Sequence, residues 1–179
     1  MPEVKPMKLV GIGGGEGELR EFAPGDKLPP EAIPWVVNAS FSASKVEADQ
    51  SIDNNRSTKI TFNIEDFDVG GGYDPATSAY TVPPGGGGKW VFGAALIYTA
   101  TSSDDTLSLR LYKNGSQVGN IGYGAAGRVT SPTASGITMV SFAPGDTVEL
   151  YAYLAVTSGS RNVLGAAGTT RFFGYKVND

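Results

Sequence analysis

The sequence contains neither cysteine nor histidine. The first absence excludes disulfide frameworks, thiol nucleophiles and thiolate zinc sites; the second excludes every Ser-His or Cys-His catalytic arrangement and removes the commonest metal ligand. Charge is also sparse. Lys and Arg total 14 against 18 Asp and Glu in 179 residues, a net charge of -4. The basic residues are scattered singly, with no stripe that could follow phosphates, so nucleic acid is not an expected partner. No segment approaches the ~18 consecutive apolar residues of a membrane helix, and residues 1–19 hold no apolar stretch of signal-peptide length. The expectation is a chain made in a cytoplasm and not inserted in a membrane. Helical periodicity is missing too: no window of ten residues carries a convincing 3.6-residue period.

What is present suits one globular domain, with 40% apolar and 10% aromatic residues. Residues 1–34 stand apart. They hold Pro2, Pro6, Pro24, Pro29, Pro30 and Pro34 and the run Gly13-Gly14-Gly15, and their few apolar residues follow no period, which reads as an extended arm. From Trp35 onward, short runs rich in Val, Ile, Leu, Thr, Phe and Tyr alternate with Gly, Asn, Asp, Ser and Pro clusters, the punctuation of an all-β domain over residues 35–179. Ile60, Phe62 and Ile64 alternate with polar residues, as do Leu107, Leu109 and Leu111, and each set places apolar side chains on one sheet face. Val148, Leu150, Ala152, Leu154 and Val156 form the longest stripe, backed by Glu149, Tyr151 and Tyr153. Trp90 to Thr99 is apolar on both parities, the pattern of a central strand covered on two sides. Asn114-Gly115 predicts a tight hairpin turn, and Pro144-Gly145-Asp146 a turn that launches the next strand. Eight to ten strands result, enough for a two-sheet sandwich.

The order of features is specific. Ser40-Phe41-Ser42-Ala43, Ile60-Thr61-Phe62-Asn63, Tyr73-Asp74-Pro75-Ala76-Thr77, Trp90-Val91-Phe92, Leu111-Tyr112-Lys113-Asn114-Gly115, Gly145-Asp146-Thr147-Val148-Glu149-Leu150 and Phe172-Phe173-Gly174-Tyr175 follow one another. Together they resemble the successive signatures of the complement C1q globular-head family over about residues 38–179. Gly85 to Gly88 stand where that family has a short proline-bounded connection, and no collagen-like Gly-x-y stalk precedes the domain. The resemblance implies a ten-strand jelly roll of the tumour-necrosis-factor type, working as a homotrimer. Within the arm, the segment from Leu19 through Phe22 and Leu28 to Pro29 resembles the connecting segment before distal domains of tailed-bacteriophage fibre and head proteins. The two resemblances imply a non-enzymatic virion protein: a homotrimeric capsid decoration or head fibre, anchored to a capsid or tail protein through Leu19, Phe22 and Leu28. Its outward surface would contact host glycans or proteins. A receptor-binding tail tip and a free C1q-like binding module are the alternatives.

Candidate sites follow from side-chain chemistry. With Ile60, Phe62, Trp90, Phe92 and the two long stripes filling the core, Tyr151, Tyr153, Phe172 and Phe41 remain for the opposite faces, where aromatic residues mark an interface; these are the expected trimer contacts. Asp66, Asp68 and Asp74, with Glu65, surround Gly70-Gly71-Gly72 and are candidate oxygen ligands for Ca²⁺. Their spacing matches no recognised calcium loop, a solvated acidic strand edge is the simpler reading, and no cofactor is expected. The glycine runs do not complete a phosphate loop, since Glu16 and Trp90 occupy required positions. A glycoside hydrolase would need neither His nor Cys, but no pair among the 18 acids stands out as acid and nucleophile. The exposed tips expected to make contacts carry Asp104 and Asp105, Asn114 and Gln117, and Arg161.

Overall fold

The computed structural model of the chain describes residues 7–10, 18–21, 38–99, 106–125, 132–156, 160–165 and 168–177. The chain divides into two units, Met1–Ile33 and Pro34–Asp179. In the first, β1 (Met7–Val10) pairs antiparallel with β2 (Glu18–Glu21), Met7 opposite Glu21 and Val10 opposite Glu18. Part of the arm expected to be extended is therefore paired as two short antiparallel strands.

The second unit is all β: β3 (Ser40–Ser44), β4 (Gln50–Ile52), β5 (Ser57–Lys59), β6 (Ile64–Val69), β7 (Tyr73–Asp74), β8 (Ala79–Thr81), β9 (Gly88–Ile97), β10 (Thr106–Lys113), β11 (Ser116–Ala125), β12 (Thr133–Phe142), β13 (Thr147–Ala155), β14 (Arg161–Val163) and β15 (Arg171–Lys176). The ladder runs β6-β3-β15-β9-β12-β11-β10-β13-β8-β7, with β5 also on β13 and β4 paired separately with β14. Between β11 and β12 only Gly122–Gly136 and Tyr123–Ser135 pair. There the ladder turns back, so a first sheet, β6-β3-β15-β9-β12, faces a second, β11-β10-β13-β8-β7, in a jelly-roll sandwich. Both glycines are needed at this joint, because a Cβ at Gly122 would stand 2.2 Å from the Ser135 carbonyl oxygen and one at Gly136 2.2 Å from that of Ile121.

The alternation of apolar residues sets the core. Leu107, Leu109 and Leu111 from β10 and Val148, Leu150, Ala152 and Leu154 from β13 are fully buried, opposed by Trp90, Phe92, Ala94 and Leu96 from β9. Rings bridge the layers: Phe41 stacks on Tyr80 at 4.3 Å, and Trp90 lies 5.3 Å from Tyr80 with its indole N–H donating to the Gly86 carbonyl at 2.8 Å. Ile60 and Phe62 are buried as expected, but Ile64 is exposed. Residues 60–63 cross from β5 in the second sheet to β6 at the edge of the first, and the strand register begins anew at Ile64. The Asn114-Gly115 turn adopts two positive φ angles, 50° and 76°, at the β10–β11 hairpin tip.

Candidate assembly face

Register across the first sheet places side chains in three rows on its outer surface. The middle row runs Phe67–Ser42–Phe173–Gly93–Ile137. One flanking row runs Val69–Ser40–Tyr175–Val91–Met139, the other Ile64–Ser44–Arg171–Ala95–Ser135. Small residues on β3 and β9 form a low floor, and the ring of Phe173 lies across it: a Cβ at Gly93 would come within 2.3 Å of the Phe173 Cζ. On either side of this ring are hollows of about 430 Å³, against Ile137 and Thr169, and about 270 Å³, against Phe67 and Tyr175. Ile137 is 69% exposed, Met139 57%, Phe67 52% and Tyr175 47%. With strands ~4.8 Å apart, five strands make a surface about 19 Å wide. Large apolar side chains gathered on one face at this exposure mark an interaction surface. Its polar rim is ordered: a bulge in β6 turns Asp66 onto the same face, where its carboxylate accepts from the Ser42 and Ser44 hydroxyls at 2.8 Å and faces Arg171 Nε at 3.5 Å.

None of the residues expected at the interface presents its side chain on this face. Phe41 is 1% exposed and Phe172 fully buried, their rings edge-on at 5.2 Å inside the core. The sequence is ambiguous here, because neighbouring aromatics in a strand point to opposite faces and either Phe172 or Phe173 could be the inward one. Pairing of Phe172 with the inward-facing Ala94 settles the parity and sends Phe173 outward. Tyr151 and Tyr153 do face outward, but from the second sheet. Tyr151 stacks on Tyr112 at 3.9 Å, and the guanidinium of Arg110 sits 3.9 Å over the Tyr153 ring while donating to Ser57 Oγ at 2.9 Å. Lys59 pairs with Glu149 beside them. Burial first, and the nearby Glu149 charge second, push the Tyr151 phenol pKa up.

The candidate calcium ligands serve the chain itself and do not converge. Asp66 is held as described, Asp68 accepts from the Gly71 and Tyr73 backbone N–H groups at 3.2 and 2.7 Å, and Asp74 accepts from Thr77 Oγ1 at 2.7 Å and the Ala76 N–H at 2.9 Å. The Thr77 hydroxyl and then the Ala76 N–H hold the Asp74 carboxyl below its ordinary range. Among the described residues, no three His, Cys, Asp or Glu side chains are grouped to hold a metal ion.

Of the expected contact tips, Asn114 and Gln117 are exposed, with Gln117 Nε2 donating to Asn120 Oδ1 at 3.2 Å. Arg161 is not a tip residue: it is 7% exposed, because β14 pairs with β4 and turns it to the same side as the buried Val163. Asp104 and Asp105 lie outside the described residues, as do Phe22 and Leu28, while Leu19 belongs to β2.

Murine APRIL, solved at pH 8.5, aligns over 78% of this chain and 98% of its own with a TM-score of 0.56 and 9% identity. Eiger TNF from S. frugiperda aligns over 78% and 92%, with a TM-score of 0.56 and 13% identity. The fold is a tumour-necrosis-factor-like jelly roll. The globular domain of zebrafish complement 1qA aligns more loosely, with a TM-score of 0.48, 17% identity and coverage of 76% and 93%. No protein-family profile and no curated protein matches the sequence.

Sequence reasoning missed Phe67, Ile137, Met139, Phe173 and Tyr175. A signal existed for two of them. Ile137, Met139, Val140 and Phe142 are apolar on both parities, the same pattern that marks Trp90 to Thr99 as covered on two sides.

Proposed function

We propose that this chain is a non-enzymatic structural module that assembles as a homotrimer through the outer face of its first sheet. One observation carries the reading: Phe67, Phe173, Tyr175, Ile137 and Met139 form a continuous apolar surface, flanked by the ordered Asp66–Arg171 rim, as protein interfaces are. Ile137 and Met139 project while the hollows beside Phe173 recede. Such a surface buries well against the edge of another copy, and three copies is the number the sequence resemblance implies. A heterologous contact whose rotation closes into a ring leaves no apolar face open.

We further propose that the trimer belongs to a tailed-bacteriophage particle, as a capsid decoration or head fibre made in the host cytoplasm. The Pro/Gly-rich residues 1–34 would anchor it to a capsid or tail protein, and the resemblance of residues 19–29 to phage connecting segments supports this. The non-enzymatic reading is supported by the described carboxylates with known partners, since Asp66, Asp68, Asp74, Asp146 and Glu149 are each engaged in holding the chain.

Light scattering on the purified chain at micromolar concentration tests the assembly, with three times the chain mass expected. A monomer would refute it. For the virion role, a chain lacking residues 1–34 is expected to remain trimeric and to fail to enter particles; unimpaired incorporation would exclude anchoring by the arm.

A further inference from the structure

Asn-Gly is the sequence in which an asparagine amide is most open to attack by its own backbone, because glycine places no side chain over the following nitrogen. At the β10–β11 tip nothing else shields it: a Cβ at Gly115 would meet no atom within 4 Å. The amide of Asn114 is nevertheless engaged. Its Nδ2 donates to Asp146 Oδ1 at 2.7 Å, its Oδ1 accepts from the Thr147 N–H at 2.8 Å, and its backbone N–H donates to the Thr147 carbonyl at 3.0 Å. These bonds draw the side chain toward the turn before β13. Asp146 is itself fixed, by Lys113 Nζ at 2.6 Å and by the Ala143 N–H at 2.7 Å.

We propose that Asn114 is a self-modification site held closed by Asp146, and that losing this hold converts the tip irreversibly. In the reaction, the Gly115 nitrogen gives its proton to solvent and bonds to Asn114 Cγ. The Cγ–Nδ2 bond breaks, and the NH2 group takes up one proton from solvent and leaves as ammonia. Water then opens the five-membered imide, its hydroxyl bonding to one carbonyl carbon and its hydrogen returning to nitrogen, to give aspartate or isoaspartate. One water is consumed and one ammonia released. The product opposes its own holder, because a second carboxylate replaces the donor that faced Asp146, and like charges at hydrogen-bond distance repel. The pin between the hairpin tip and the 143–147 turn is lost with the amide. Asp146 stays ionised through the neutral range, since its bond to Lys113, then those to the Ala143 N–H and Asn114, lower its pKa to about 2.

The test is incubation of the full chain at mildly alkaline pH, followed by mass spectrometry and isoaspartate detection on the fragment that contains residue 114. A peptide of residues 111–117 gives the unprotected rate. The intact chain is expected to convert at least about tenfold more slowly than the peptide, because reaction requires local opening against a charge-assisted bond. Asp146→Ala should approach the peptide rate, and Lys113→Ala, which leaves the Asn114 partner in place but frees it to move, should fall between. Conversion of the intact chain at the peptide's rate would overturn the proposal, as would a folded Asp146→Ala chain that converts as slowly as the parent. Should Asp146→Ala not fold, Lys113→Ala decides: a rate equal to the parent's counts against the hold. Asn114→Asp, the product made directly, should melt below the parent, and an unchanged melting temperature would show that the amide pins nothing.

Discussion

The two outer faces of this sandwich handle large side chains in opposite ways. On the second sheet Tyr112 covers Tyr151, Arg110 covers Tyr153, and Lys59 pairs with Glu149, so most rings and charges satisfy one another within the chain; Tyr123 on β11 is the bare ring there, its hydroxyl accepting from Asn120 Nδ2. On the first, Ile137, Met139, Phe67 and Tyr175 rise from a floor of serine, glycine and alanine with much of their surface bare. The difference teaches where to seek an interface: aromatic residues that stack on each other are at home in water, and apolar residues left without a cover are not. The sharpest way to break this comparison is the pair Ile137→Lys with Met139→Glu. At about 2 kcal/mol for each central interface residue, the assembly should weaken roughly a thousandfold and the chain run as a folded monomer by light scattering and circular dichroism. Tyr153→Ala should leave the mass unchanged. Equal effects from the two faces would mean that stacking does not distinguish them.

A substitution at the joint between the sheets should be next in size. Strands β11 and β12 approach so closely that Gly122→Ala must push its methyl into the Ser135 carbonyl, a backbone atom that cannot rotate away. Overpacking of this kind costs about 1–3 kcal/mol, and the β11–β12 pairing has only two residue pairs with which to absorb it. Urea unfolding should show the loss in full. A change below about 0.5 kcal/mol would mean that the joint yields and the two faces are not rigidly related.

Much of the architecture is legible from the residues. The Leu107–Leu111 and Val148–Leu154 alternations name their buried faces, Asn114-Gly115 names its turn, and Trp90 to Thr99 names the central strand, because each rests on a local rule. The candidate assembly face is harder to read because it depends on parity and pairing. Phe172 and Phe173 are chemically equivalent, and only the register with β9 decides which is core. The extra residue in β6 alters the alternation along that strand, so that Asp66 and Phe67, neighbours in sequence, both reach the outer face. The inward turn of Arg161 is likewise decided by a partner strand more than a hundred residues away, which no local pattern announces.

A smaller effect sharpens the second face. Arg110 loses both its place over Tyr153 and its bond to Ser57 in Arg110→Ala. The two together should be worth about 1 kcal/mol at a partly exposed site, seen as a drop in melting temperature with no change in mass. If the trimer fell apart instead, this face would be part of the assembly.

The smallest expected effect is acid sensitivity at the end of the second sheet. Asp146 has its pKa depressed to about 2, first by Lys113, then by the Ala143 N–H and Asn114. Its ordinary value when unfolded is about 3.9, so the folded state binds the proton more weakly. The stabilisation is therefore complete above about pH 4 and is lost as pH falls through about 2. The Asp146 carboxylate lies near the surface, so salt should screen the Lys113 attraction while leaving the short bonds to Asn114 and Ala143 largely intact. Melting curves between pH 5 and 2 should show the parent losing more stability than Asp146→Asn, with part of the excess removed by added salt. Parallel curves would mean that the hairpin tip is held by its backbone turn alone, and that the ion pair follows the geometry without enforcing it.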